Sequence, residues 1–250
     1  MWLWGWSVIQ LRCSVQPMSA PIPNILVILG SESGVIRPVV ESLVRDFYLV
    51  RVYNKTVPTP LQNCVDIGNA SDILDAVSSL LKDGETPRIG LIGAAFARQK
   101  ALLVDLDTKS IANMLATNIN LYVEVATLLL PMMIRSKFGR FVYLSSFRAA
   151  NPVRGTTLYS ASKAFGEAFM TGIGKEYGRF GVSSVNIRMG YFLSGMMDEL
   201  DEDEQKDARR AIALNRFGTG DDLDRAIRFA LQTPYLNSGV IELNGGLNLG

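Results

Sequence analysis

From Asn24 onward, short apolar runs alternate with stretches whose apolar residues recur at helical spacing. NILVIL (24–29) suits one buried strand and leads through GSESG (30–34) into VIRPVVESLVRD, where Ile36, Val39, Val40 and Leu43 mark a helix face. Pro38 falls in the first turn of that helix, where a missing N–H does little harm. YLVRVY (48–53) predicts a second strand, Val65 and Asp66 end a third, and a helix over 70–82 stops near Gly84. RIGLIGAA (88–95) and RFVYLSS (140–146) predict the fourth and fifth strands, with a long amphipathic helix over 110–136 between them. A second long helix over 158–178, VSSVNIRM (182–189), helical stretches at 196–212 and 220–232, and GVIELNGG (239–246) complete the pattern. Strands joined by crossovers of about ten residues or more are parallel, and a parallel sheet is covered by helices on both faces. No repeat, low-complexity linker or break divides 24–250, so one doubly wound α/β domain is expected.

Residues 1–23 stand apart. All three tryptophans lie there, at Trp2, Trp4 and Trp6, and the one charge, Arg12, follows the apolar stretch instead of preceding it as in a signal peptide. That stretch is too short to span a bilayer, which takes about 20 residues. The segment is expected to be a non-native or upstream-start extension, with Met18 as the true start. The alternative is an arm that meets an interface or an oligomer partner through its exposed aromatics.

Composition removes several chemistries. The chain has no histidine, which excludes Ser-His-Asp and Cys-His nucleophilic catalysis, a histidine general base and histidine-ligated zinc; no metal site is expected. Two cysteines, Cys13 and Cys64, make no disulfide framework and suit a reducing, cytoplasmic setting. Lys and Arg (25) against Asp and Glu (24) give a formal charge of +1, so neither nucleic acid nor a membrane is expected as a partner. Chemistry must come from Ser, Tyr, Lys, Arg, carboxylates or a borrowed cofactor.

A strand running straight into Gly30, Ser31, Glu32, Ser33 and Gly34 and then a helix is a context for dinucleotide binding, since glycine permits the turn and free N–H groups hold a pyrophosphate. An ordinary turn fits two glycines equally well. The third glycine of such a loop is replaced by Ile36, whose branched side chain is expected to crowd the cofactor's approach. After the second strand, an Asp would accept from a ribose 2′-hydroxyl, whereas a basic residue suits a 2′-phosphate. Asn54 and Lys55 stand there, favouring NADP(H) over NAD(H), although Glu32 would repel the phosphate if it faced that way.

LYSASKAFGEAFM (158–170) puts Tyr159 and Lys163 four apart on one helix face. An ammonium beside a phenol favours the phenolate and makes Tyr159 an acid–base group near neutral pH. Ser146 closes the fifth strand at its carboxyl end, where ligands of open α/β sheets bind, and can polarise a carbonyl while Tyr159 supplies the proton. A Ser145-Ser146 pair that merely ends the strand is the plainer alternative.

Tyr159-x-x-x-Lys163, with Ser146 thirteen residues before the tyrosine and Asn118 in the phrase TNIN, resembles the short-chain dehydrogenases/reductases, in a form close to β-ketoacyl-acyl-carrier-protein reductases. The resemblance covers 24–250 and includes Asp66-Ile67, similar to the family's adenine-contacting Asp-Val, Arg216-Phe217-Gly218 and Asn244-Gly245-Gly246. It implies a Rossmann-type sheet of about seven strands, a homotetramer or homodimer built on the long helices, and a small-molecule or carrier-tethered carbonyl substrate. It also implies roles: Tyr159 transfers the proton, Lys163 lowers its pKa and holds the nicotinamide ribose, Ser146 binds the substrate oxygen, and Asn118 anchors a water linking Lys163 to solvent.

Departures gather on the cofactor side. The family's T-G-x-x-x-G-x-G is Leu29 to Ile36, its N-N-A-G is Gly93-Ala94-Ala95-Phe96, and its P-G is Met189-Gly190, followed by Phe192 and by Ser194 in place of threonine. Two readings stay open: an active reductase with a reshaped cleft, or a cofactor-impaired homologue with a structural or regulatory role. Lys163 argues against a halohydrin-type eliminating relative, which carries Arg there. Tyr191 to Arg216 is expected to lie over the substrate as a lid, and the acidic run Asp198 to Glu204 to be a solvated helix start. Lys137 and Arg179 are candidates for a basic rim meeting a carrier protein.

Overall fold

The computed structural model describes residues 22–53, 58–82, 84–98, 100–193 and 201–247. Seven strands form one parallel sheet: β1 (Ile25–Leu29), β2 (Tyr48–Val52), β3 (Cys64–Ile67), β4 (Ile89–Gly93), β5 (Gly139–Ser146), β6 (Val182–Met189) and β7 (Gly239–Leu243), in the order β3-β2-β1-β4-β5-β6-β7. Strand β1 is buried along its whole length, as a parallel strand covered on both faces must be. Its side chains alternate between two cores. Ile25, Val27 and Leu29 pack under α2 (Ile73–Ser79), α4 (Leu121–Ser136) and α5 (Thr157–Tyr177), with Val77, Tyr122, Leu129 and Met170. Leu26 and Ile28 pack on the opposite face under α1 (Arg37–Leu43) and α7 (Gly220–Gln232), with Val39, Leu43, Leu223 and Ile227.

The order reverses at β1: β2 and β3 continue to one side and β4 to the other, leaving a crevice at the carboxyl ends of β1 and β4. Leu29 pairs with Gly93 and Gly93 with Tyr143, so these three strands are level there, but β5 runs on to Ser146 beside Met189 of β6. Ser146 therefore overhangs the crevice.

The long helix expected over 110–136 is two helices. α3 (Thr108–Leu115) and α4 are joined by a π-helical turn, Ala116–Asn120, which holds the TNIN residues. Extra backbone in such a turn re-aims a side chain and is common at functional sites. The run Thr108–Ser136 is long and apolar enough to cross a membrane by length and composition, yet Met114, Asn118, Tyr122, Val125, Leu129 and Met133 face inward. The helix expected over 70–82 opens with a 3-10 turn, Ala70–Asp72, capped by Asn69, and ends at Ser79. Of the stretch expected at 196–212, α6 (Glu202–Arg210) lies within the described residues; Asp201 and Glu204 form its capping box, a solvated helix start.

Candidate active site

Tyr159, Lys163 and Glu167 occupy successive turns of one face of α5, all buried against the carboxyl half of β5. Ser146, Tyr159 and Lys163 line a single hollow of about 300 Å³ together with Ser33, Ala94, Phe96, Gly190 and Phe192. Hydrogen bonding from the Ser146 hydroxyl favours the Tyr159 phenolate, and Ser146 Oγ accepts from Arg148 N at 3.2 Å, which sets the turn Phe147–Ala149.

Burial and neighbouring groups act on both titrating side chains. Burial raises the pKa of Tyr159, and the opposing pull comes from Ser146, Arg98 and Arg148. Lys163 is 3% exposed, its Nζ donates to the Leu144 carbonyl at 2.9 Å, and it lies 4.9 Å from the centroid of Tyr143 and 5.6 Å from that of Phe96. Burial lowers its pKa to about 7, against the attraction of Glu167.

Glu167 belongs to no motif in the sequence, yet it is central here. Its carboxylate accepts from Ser145 Oγ at 2.6 Å and from Arg188 Nε and Nη2 at 2.8 and 2.7 Å, and Arg188 reaches on to Glu242 at 2.7 Å. The network from Ser145 through Glu167 and Arg188 to Glu242 crosses β5, β6 and β7. Its one trace in the sequence is a glutamate at the next helical turn after Lys163.

Asn118 is buried, and its side chain is fully engaged. Oδ1 accepts from Ala97 N at 2.6 Å, and Nδ2 donates to Ala97 O and to Ser162 Oγ at 2.9 Å each. The side chain thus positions the segment after β4. Tyr122 assists by donating to Ala95 O. The Tyr122 ring also accounts for Gly93 where the family has asparagine: a Cβ there would lie 2.4 Å from the ring. Between these two clamps, half-buried Phe96 forms one wall of the hollow.

In the glycine loop, Gly30 is required twice. Its φ is +76°, and an added Cβ would stand 2.5 Å from Ala95 Cα, where β1 and β4 converge. Ser31 is buried, and Ser33 Oγ is buried without a hydrogen-bond partner beside the hollow. Gly34 is exposed at the loop's far side. Ile36 corrects an expectation: it is 0% exposed and packs with Val39, Val40 and Leu43 in the core between α1 and the sheet, so its side chain does not crowd the groove. Glu32 turns toward Arg51, 3.7 Å away, and Arg51 holds Asp66 through two bonds of 2.7 and 2.8 Å. Asp66 is therefore committed to an ion pair at the strand ends, and Ile67 is a core residue. Gly190 abuts Asn244 and Phe192 packs on Gly218. Asn54, Lys55 and Ser194 lie outside the described residues, as do Trp2, Trp4, Trp6 and most of the acidic run before Asp201.

Arg216 pairs with Asp222 at 2.7 Å at the start of α7. Lys137 and Arg179 precede β5 and β6, at the edge of the sheet opposite Ser146 and Met189. Eight residues of parallel strand span about 26 Å, so these cations do not rim the site, a correction to that expectation.

The family model described as short chain dehydrogenase matches residues 24–205. Human 3-oxoacyl-[acyl-carrier-protein] reductase is 24% identical over 238 residues, covering 90% of this chain and 98% of its own. Carbonyl reductase family member 4 of Xenopus tropicalis is 24% identical over 209 residues, 82% of this chain and 85% of its own. Among solved structures, ElxO with NADP bound aligns at a TM-score of 0.78 and 17% identity, covering 90% of this chain and 99% of its own. A putative gluconate dehydrogenase from Agrobacterium tumefaciens aligns at 0.77 and 17%, covering 90% and 95%. The structural likeness is one of fold, and the match of the family model across most of the domain adds descent: this chain belongs to the short-chain dehydrogenase family.

Proposed function

We propose that the chain is a nicotinamide-dinucleotide-dependent oxidoreductase that interconverts a carbonyl and a secondary alcohol, similar to 3-oxoacyl-[acyl-carrier-protein] reductase, with Tyr159 as the proton donor and acceptor. The observation that carries the reading is the hollow that joins the Ser146 hydroxyl, the Tyr159 phenol and the Lys163 amine to the glycine loop. Ser33 supports a fit to the dinucleotide, since its buried hydroxyl at that loop has no partner within the protein. Once bound, the nicotinamide supplies or takes the hydride. Ser33 and the Gly30 turn would hold the phosphates, and Ala94, Gly190 and Phe192 would border the nicotinamide end. Ser146 orients the substrate oxygen and favours the phenolate, Tyr159 gives the substrate a proton or removes one, and Lys163, lining the same hollow, would hold the nicotinamide ribose. NADP(H) is favoured over NAD(H) by Asn54 and Lys55 after β2 and by the NADP bound to the fold neighbour ElxO. Glu32 facing Arg51 weighs against repulsion of a 2′-phosphate. A homotetramer or homodimer is part of the proposal, supported by Phe165 and Phe169, stacked at 5.9 Å, with Phe165 exposed on α5.

Thermal-shift titration with NADPH and NADH, followed by turnover of a carbonyl panel, tests the proposal. Tyr159→Phe should keep dinucleotide affinity and lose about 100-fold or more in kcat. If neither dinucleotide binds at millimolar concentration, the reductase reading fails and a structural or regulatory role replaces it. Phe96, at the position of the family's glycine, is the residue that would favour that second reading.

A further inference from the structure

We infer that Phe96 is a positioning residue of this site: its ring covers the Lys163 amine toward the hollow, and a ligand hydroxyl reaches that amine only as the ring gives way. The inference rests on the oxidoreductase reading only in taking that hydroxyl to be one of the nicotinamide ribose. Lys163 lines the hollow, yet it is 3% exposed. Among the described residues two rings stand over its Nζ, Tyr143 with its centroid at 4.9 Å and Phe96 with its centroid at 5.6 Å. Tyr143 is a fully buried core residue, whereas Phe96 is half-buried and lines the hollow beside the amine. The Leu144 carbonyl, which accepts from Nζ at 2.9 Å, belongs to the strand. Phe96 is thus the part of this cover that meets an incoming ligand.

Spacing decides what the ring does. A hydroxyl oxygen bonds an ammonium at about 2.9 Å and touches a ring at about 3.5 Å, so one placed between the two needs about 6.4 Å. The 5.6 Å from Nζ to the Phe96 centroid is too short for that. The backbone is not free to swing aside either. The Ala95 carbonyl accepts from Tyr122, and Asn118 holds Ala97 at N and at O, at 2.6 and 2.9 Å. With the main chain pinned on both sides, the ring clears the amine by turning about its own side-chain bonds. Such a ring sets both the water that reaches Lys163 and the room left for a ligand upon it.

The ring acts on the amine in two ways of opposite sign. Excluding water disfavours the charged form, and a π face favours it. Burial is the larger influence on Lys163, and Phe96 lies close to the limit of about 6 Å for a cation–π contact, with Tyr143 nearer. Exclusion of water therefore dominates. The titrating and charged groups about the amine are Glu167 and Tyr159 on its own helix, Tyr143 on β5, Tyr122 on α4 beyond that ring, and Arg188 on β6 behind Glu167. Arg98 and Arg148 act on Tyr159. A substitution at Phe96 removes none of these groups.

Competitive labelling of the dinucleotide-free protein with acetic anhydride, read by mass spectrometry on the Lys163 peptide across the neutral and alkaline range, gives the titration midpoint of the amine. The wild type should titrate near 7. Phe96→Ala should raise the midpoint by about one pH unit or more, and Phe96→Leu, which keeps apolar bulk without a π face, should leave it within about half a unit. In thermal-shift titration NADPH or NADH should bind Phe96→Ala about fivefold tighter or more than the wild type, a gain that disappears when both proteins also carry Lys163→Met. A midpoint unmoved or lowered in Phe96→Ala, a Phe96→Leu midpoint that moves as far as that of Phe96→Ala, or an affinity gain that is absent or survives Lys163→Met overturns the inference. If Lys163→Met fails to fold, the labelling midpoints decide. If no protein of the set binds either dinucleotide, the reductase reading is lost, and the midpoints still decide whether Phe96 covers Lys163.

Discussion

Replacing Lys163 by Met tests the electrostatic account of the site most directly. Burial lowers the amine's pKa from an ordinary 10.5 to about 7. Between these values the unfolded chain binds a proton that the folded protein does not, so stability rises with pH across that window. Below pH 7 both states are charged and the full penalty applies. The two pKa values differ by about 3.5 units, or about 5 kcal/mol over the whole window, of which about 2 kcal/mol is recovered between pH 7 and pH 9. Methionine fills similar space without titrating. Its loss of the hydrogen bond to Leu144 O adds a constant of about 1 kcal/mol that leaves the slope untouched. Urea midpoints of the dinucleotide-free protein at pH 6 to 9, with and without Lys163→Met, isolate the residue's contribution. The wild type should gain about 2 kcal/mol on the variant from pH 7 to pH 9. Parallel pH dependences for the two proteins would refute a buried, partly neutral amine.

Two further substitutions probe the surroundings. Ile36→Gly restores the family's loop glycine but empties a core position. It should cost about 4 kcal/mol in denaturant unfolding and leave dinucleotide affinity unimproved, and tighter binding at undiminished stability would restore the crowding argument. Glu167→Gln withdraws the carboxylate that favours Lys163's charge, so the amine's pKa falls below its present value of about 7. The alkaline limb of the pH–rate profile should move to lower pH, and Arg188, left with Glu242 as its one carboxylate partner, should lose about 2 kcal/mol of stability; an unmoved limb would show that Lys163 does not feel Glu167.

The order of strands and helices was legible because period and turn residues are local. Crossover length alone made the sheet parallel, and Ser146 could be placed at a strand end and Tyr159 and Lys163 on one helix face. The break at Ala116–Asn120 was not legible, since the apolar period continues through a π-helical turn. Nor was Glu167, which looks like any surface glutamate until Arg188 and Ser145 are brought to it from neighbouring strands.

By itself, then, the sequence determined which elements form and which chemical groups stand one helical turn apart. Tertiary structure decided what state those groups are in: that burial lowers the pKa of Lys163, that Ile36 faces the core, that the Asn118 side chain is spent on Ala97 and Ser162, and that Ser146, Tyr159 and Lys163 share one hollow with the glycine loop. Charge state and side-chain direction depend on burial and on partners distant in the chain, and residue spacing carries no record of either.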